Sequence, residues 1–269
     1  MKFGMCTNMC GNREDPAGLW VIEAAVTAGF DYIELPLAQI TDLGQDEFAR
    51  LRGKLSALGI PCPRNNNFFP ANMRLPGAQV DKAGIEDYVE RALSRSQELG
   101  AAKVVFGSGP ARTIPPEFPL NEGREQLIQL LRYISSAAEK FGISIAIEPL
   151  NRGESNIINS FEEGCALASA VARSNIKVLV DYYHLAKEND GLEHIYGKGK
   201  SFLTHAHFAG DGKDRKYPAA EKKDEYRRFL GALKSAGYDD TLSLEAYSED
   251  PLTRMKPALE MMRELWEEQ

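Results

Sequence analysis

The chain has 269 residues, 43% of them hydrophobic and 26% charged, a length that holds one large α/β barrel or two small domains. Lys and Arg total 32 against 39 Asp and Glu, a net charge of −7, which argues against a protein built to grip nucleic-acid phosphates. No apolar run is long enough for a membrane span, the opening MKFGMCTNMC reads as a strand rather than a signal segment, and Cys6, Cys10, Cys62 and Cys165 form no CxxC pair. A cytoplasmic protein with reduced thiols is therefore expected, with neither nucleic acid nor membrane as a partner.

In chain order, apolar runs predict eight strands: KFGMCT from Lys2, YIELP from Tyr32, CPRNNN from Cys62, KVVFG from Lys103, ISIAIEP from Ile143, VLVDYY from Val178, LTHAHF from Leu203 and TLSLEAY from Thr241. Helical stretches lie between them, at Asp46–Leu58, Asp81–Leu99, Asn121–Phe141, Phe161–Ala172 and Lys222–Ala236, and Pro251–Glu267 closes the chain. Gly29, Gly59, Gly100, Gly142 and Gly237 stand where a helix stops and a strand begins. Eight β-then-α units predict a (β/α)8 TIM barrel. A doubly wound sheet is disfavoured, because no GxGxxG follows the first strand. No linker divides the chain, so residues 1–269 are expected to form a single barrel domain. The irregular segments 66–80, 108–120 and 209–220 each follow a strand and should lie on the C-terminal, active-site face.

Alternation along the strands sorts the side chains. Ile143, Ile145 and Ile147 share one face, while Ser144, Ala146 and Glu148 share the other. Val178 and Val180 oppose Leu179 and Asp181, and Leu242 and Leu244 oppose Thr241, Ser243 and Glu245. Leu203, His205 and His207 share one parity. If the large aliphatics face the outer helices, strands five to eight deliver Glu148, Asp181, His207 and Glu245 to one point inside the barrel. Three converging carboxylates need a compensating charge, and oxygen ligands with one imidazole suit one divalent metal, Mn²⁺ ahead of Mg²⁺ or Co²⁺, better than a structural zinc. For any one of these residues, an ordinary ion pair or a satisfied core histidine is the plain alternative.

AGFDYIEL at Ala28–Leu35, IEPLNRGE at Ile147–Glu154, DYYH at Asp181–His184, HAH at His205–His207 and GYDDTLSLE at Gly237–Glu245 resemble the sugar isomerase/epimerase family of barrels. That family includes D-tagatose 3-epimerase-like ketose epimerases and hydroxypyruvate isomerases, and more distantly xylose isomerase and endonuclease IV. The resemblance implies that Glu148, Asp181, His207 and Glu245 bind the metal and that Glu148 and Glu245 are the acid and base. It also implies that Glu154, His184 and Arg215 contact a small sugar, in a homo-oligomer (dimer or tetramer). Arg215 lies two positions further beyond His207 than the family's spacing, so Lys213 is an alternative. Asp240 stands where the family often has Gly and is given no functional weight.

The implied function is metal-dependent C3 epimerisation of a free ketose through a metal-bound cis-enediolate. A hydroxypyruvate isomerase-like aldose–ketose isomerase is the alternative, and an endonuclease IV-like phosphodiesterase is disfavoured by four His and the net negative charge. A phosphorylated substrate stays open, since Lys213 and Arg215 share a loop. Glu34 is read either as a partner for a ligand or histidine or as a structural ion pair. His205 is read as lying beneath the site or in the core, His194 as surface, and Lys103 as exposed at the opposite end of the barrel. Asn65–Asn67 bind hydroxyls or simply make a turn. Phe68, Phe69 and Trp20 wall the pocket or pack.

Overall fold

The structure, a computed structural model, describes residues 1–212 and 214–269; Lys213 lies outside the described residues. Eight parallel strands close into a barrel in sequence order: β1 Lys2–Cys6, β2 Tyr32–Pro36, β3 Arg64–Asn66, β4 Lys103–Phe106, β5 Ser144–Ile147, β6 Ile176–Asp181, β7 Leu203–Phe208 and β8 Thr241–Leu244. β8 returns to β1, with Gly4 opposite Ser243. Among the described residues no helix is long and apolar enough to cross a membrane.

The helices form because apolar side chains recur every three or four residues. The helix Leu120–Lys140 buries Leu127, Ile128, Leu131, Ile134, Ala137 and Ala138 along one stripe. Each large aliphatic removed from water there contributes about 1.5–3 kcal/mol. Its partner surface is the outward parity of the strands: Ile145, Ile147, Val178, Val180, Leu242 and Leu244 belong to the same core. The five predicted stop glycines all have left-handed φ. At Gly59 that conformation lets the backbone N–H cap Leu55 and Ser56 carbonyls before the turn into β3.

Inside the barrel the packing is layered. Val105, Ala146 and Leu179 make a separate apolar cluster. Deeper, Tyr32 crosses the interior to Ser243, hydroxyl to hydroxyl at 2.7 Å. A Cβ on Gly4 would lie 2.1 Å from the Tyr32 ring, so only glycine leaves room for it. Lys103 and Arg64 both donate to Asp240, and Lys103 also reaches the Thr204 carbonyl at 2.7 Å. Lys103 is therefore a half-buried tie rather than an exposed side chain, and Asp240 has a structural task as the acceptor for both cations.

Two other expectations change, and one open alternative is decided. The register shifts between β6 and β7, with Leu203 beside Val178 but His205 beside Leu179. This bulge turns Leu203 outward into the main core, so it does not share the face of His205 and His207. Tyr182 and Tyr183 leave the sixth strand and begin the helix Tyr182–Glu188. Phe68 and Phe69 stack on each other with centroids 4.4 Å apart and are buried, while Trp20 stays 43% exposed with its Nε1 donating to the Cys10 carbonyl; they pack rather than wall the site.

Candidate active site

β5 runs straight into Glu148, β6 ends on Asp181, β7 carries His207 next to its last residue, and Glu245 follows β8. All four side chains are buried, and one ligand atom from each lies within 4.8 Å of every other, a group that could hold a metal ion. His207 Nδ1 is the centre of this group: Glu245 Oε2 lies 2.9 Å away, Glu148 Oε1 3.1 Å and Asp181 Oδ2 3.7 Å.

The surrounding charges act strongly on this cluster. Burial pushes the Glu148 carboxyl up to about 7, with Glu245 and Asp181 adding to the rise and His207 opposing it. Glu245 is buried as deeply, yet Arg215 and His207 outweigh that burial and hold it at about 2. His207 is raised well above the ordinary imidazole range, since Glu245 and Glu34 overcome the cost of burial. A point that draws positive charge to Nδ1 among three carboxylates is chemically fitted to a divalent cation with oxygen and imidazole ligands.

Residues from the first half of the barrel hold this cluster in place. Glu34, fully buried in the middle of β2, receives His207 Nε2 at 3.0 Å and His205 Nε2 at 2.8 Å. Burial alone would raise Glu34, but the two histidines keep it well below the usual carboxylate range. His205 is itself held at about 4 by burial and bonds Thr241 through Nδ1. Glu245 Oε1 accepts two amides, Asn8 Nδ2 at 2.8 Å and Asn66 Nδ2 at 2.9 Å. Gly107, just past β4, faces Glu148: a Cβ there would lie 2.3 Å from Oε2.

The structure brings the remaining predicted site residues to the same place. Arg215, in a left-handed conformation, donates through Nε to the Glu245 carbonyl at 2.8 Å and through one terminal nitrogen to both Asp181 and Glu245. His184 packs beside it and is lowered to about 4, mainly by burial. Glu154 accepts from Asn151 Nδ2 at 2.8 Å. His194 stays at the surface, paired with Asp190 at 2.7 Å. Sequence reasoning missed three groups at the site. Asn8 lies past the end of β1 with no motif to mark it, Gly107 is one glycine among many, and Asn151 sits unread inside IEPLNRGE. Asn66 carried a signal as a strand-end amide, and turn chemistry explained it equally well.

Comparisons with known proteins bear on the fold and the class of activity. A family model described as a xylose isomerase-like TIM barrel matches residues 22–265. D-psicose 3-epimerase of Agrobacterium fabrum is 25% identical over 234 residues, covering 84% of this chain and 78% of that protein. L-ribulose 3-epimerase of a Methylomonas species is 25% identical over 256 residues, covering 91% and 84%. In fold, the chain is similar to the crystal structure of D-psicose 3-epimerase with D-tagatose from Clostridium cellulolyticum H10, at a TM-score of 0.85, 20% identity and 99% coverage of both chains. The chain is an enzyme of the isomerase class, and it belongs to the xylose isomerase-like TIM barrel family.

Proposed function

We propose that this protein is a metal-dependent ketose 3-epimerase acting on a free ketose of four to six carbons. The observation that carries the reading is the convergence of two carboxylates, Glu148 and Glu245, on the point shared by Asp181 and His207. Their environments push the two carboxyls apart, one toward neutrality and one toward the anion, which is the pattern of an acid and a base serving one centre. The relatives named for ketose 3-epimerisation support the same chemistry.

Glu148, Asp181, His207 and Glu245 would hold the divalent ion, with Mn²⁺ favoured over Mg²⁺ or Co²⁺. When bound, that ion supplies Lewis-acid polarisation of the substrate carbonyl and offsets charge developing on its oxygen. The protein residues carry the proton. Glu245, kept anionic by Arg215 and oriented by Asn8 and Asn66, takes the proton from C3, leaving a cis-enediolate. Glu148 gives a proton to the opposite face of C3, and the centre is inverted. The reverse reaction exchanges the two roles. Arg215, His184 and Glu154 hold substrate oxygens beside the reacting carbon.

Solvent deuterium exchange tests the reading. The Mn²⁺-loaded protein is incubated in D₂O with D-fructose, D-tagatose, L-ribulose, their phosphates and hydroxypyruvate, and the exchanging carbon is located by NMR. Deuterium at C3 of a free ketose is expected. Exchange confined to C1, or a clear preference for hydroxypyruvate or a sugar phosphate, would overturn the epimerase reading.

A further inference from the structure

Arg112 ends the short helix Gly109–Arg112, which follows β4, and it is 0% exposed. Its guanidinium donates to two backbone carbonyls rather than to a carboxylate: Nη1 to Phe106 at 2.9 Å and Nη2 to Ile158 at 3.4 Å. Its Nε has no partner among the described residues. Burial pulls the group down to about 10, against the opposing effect of Glu148 and Glu154, so it remains a cation at neutral pH.

Each of those carbonyls has a second task. Phe106, the last residue of β4, also accepts the Glu148 backbone N–H at 3.2 Å, and Ile158 also accepts the Leu150 backbone N–H at 3.0 Å. Pro149 between them has no N–H to give. One planar guanidinium thus joins the two acceptors that hold the chain on either side of Pro149. Ile158 presents its carbonyl with a φ of 63°, a conformation that a β-branched residue rarely adopts. Two glycines let the loop after β4 come up against this segment. A Cβ on Gly107 would lie 2.3 Å from Glu148 Oε2, and one on Gly109 would lie 2.9 Å from the Glu154 carbonyl oxygen.

Stability alone does not account for a buried, incompletely bonded cation. Without the guanidinium each carbonyl keeps its backbone N–H, so no acceptor is orphaned. Replacing a buried charge by an apolar side chain of similar volume is often neutral or stabilising. We infer that Arg112 is a positioning residue: by forking onto the Phe106 and Ile158 carbonyls it fixes the backbone that presents Glu148 to the reacting carbon. That Glu148 serves one face of C3 rests on the epimerase reading above. A shift of Glu148 by about 1 Å leaves proton abstraction by Glu245 in place but slows protonation of the opposite face. The proton on Glu245 then exchanges with solvent and returns to the face it left. The C3–H bond broken is replaced by a C3–D bond in D₂O, and the starting ketose is recovered labelled instead of inverted.

The test compares the parent protein with Arg112→Met and Arg112→Lys. In calorimetric titration with Mn²⁺, without sugar, Arg112→Met should lose affinity about tenfold, because a ligating carboxylate has moved. In D₂O, NMR then follows whichever of D-fructose, D-tagatose and L-ribulose the parent epimerises, separating deuterium at C3 of the unreacted ketose from formation of the epimer. Arg112→Met should lower epimer formation on the order of 10²-fold and same-face exchange far less, so the ratio of exchange to inversion rises about tenfold. Its thermal unfolding midpoint should stay near the parent value. Arg112→Lys keeps the charge but reaches only one carbonyl; it should show the same changes at smaller size, and it carries the test if Arg112→Met does not fold. Exchange and inversion falling in parallel, the mark of a merely structural role, overturn the inference. So do Mn²⁺ affinity equal to the parent's in Arg112→Met and parent-like values throughout in Arg112→Lys. The parent's own labelling tests the epimerase reading, the difference between parent and variant tests Arg112, and the titration needs no sugar, so the two failures are distinguishable.

Discussion

β5 to β8 deliver Glu148, Asp181, His207 and Glu245, whereas the first half of the barrel delivers Asn8, Glu34, Asn66 and Gly107 to the same place. The second set contains one charged side chain, and that one is turned away from Nδ1 of His207 to grip Nε2. The halves thus divide the labour. The later strands carry groups that can ligate a cation and move a proton, and the earlier strands hold those groups in orientation. The opposite end of the barrel shows a different balance. There Arg64 and Lys103 meet Asp240, so the carboxylate is matched by cations of the chain itself. At the active-site end, among the described residues, carboxylates outnumber the cations of the chain, and this imbalance distinguishes a site from a plug.

The comparison makes graded predictions. The largest effect belongs to the later strands: Glu148→Gln and Glu245→Gln should each lower kcat by about 10²–10⁴-fold, the usual contribution of a general acid or base. Thermal unfolding midpoints should move far less. Turnover near the parent value in either variant would break the assignment of proton transfer to this half. Next comes Glu34→Gln. Freed from a charged partner, the His207 ring should lose affinity for Mn²⁺ by about 10–100-fold, read by calorimetric titration. An unchanged affinity would mean that the first half does not orient the ligands.

A smaller loss is expected from Asn66→Ala, which removes one of two amides on Glu245 Oε1. A hydrogen bond to a charged group is worth about 1.5–3 kcal/mol, and with Asn8 still in place kcat/KM should fall about tenfold. The weakest effect lies at the surface, on the connection between β6 and β7. His194 is raised above the ordinary imidazole value because its hydrogen bond to Asp190 and that residue's charge outweigh burial. Its stabilising pair is fully formed below the unfolded imidazole value of about 6.5 and is lost as pH rises through the folded one. Solvent screening keeps this near 0.5 kcal/mol or less. Parallel denaturant titrations of the parent and His194→Gln at pH 5.5 and 8.5 should show that difference at the acid pH alone.

The later half was legible in the sequence because its strands alternate cleanly. Ile145 and Ile147 go outward, Ala146 and Glu148 inward, and the same rule places Asp181 and Glu245. Where the alternation fails, the reading failed with it: the bulge at Thr204 sends Leu203 outward although its parity matches His205. Asn8 and Asn66 were harder to see, because an amide past a strand end does the same local work in a turn as in a site. Lys103 looked exposed because the acceptors that bury it, Asp240 and the Thr204 carbonyl, come from strands more than a hundred residues away.

Period, parity and glycine punctuation thus determined eight strands, their inward faces and the convergence of four metal-type residues, because those signals are carried by neighbours in the chain. Partnerships were decided only by the tertiary structure. The grip of Glu34 on two histidines, the paired amides on Glu245, the place of Arg215 between Asp181 and Glu245, and the two donors facing His184 all join residues distant in sequence. A hydrogen bond is directional and short, so which atom meets which depends on barrel closure and loop path. The pattern of residue types along a strand carries no record of either.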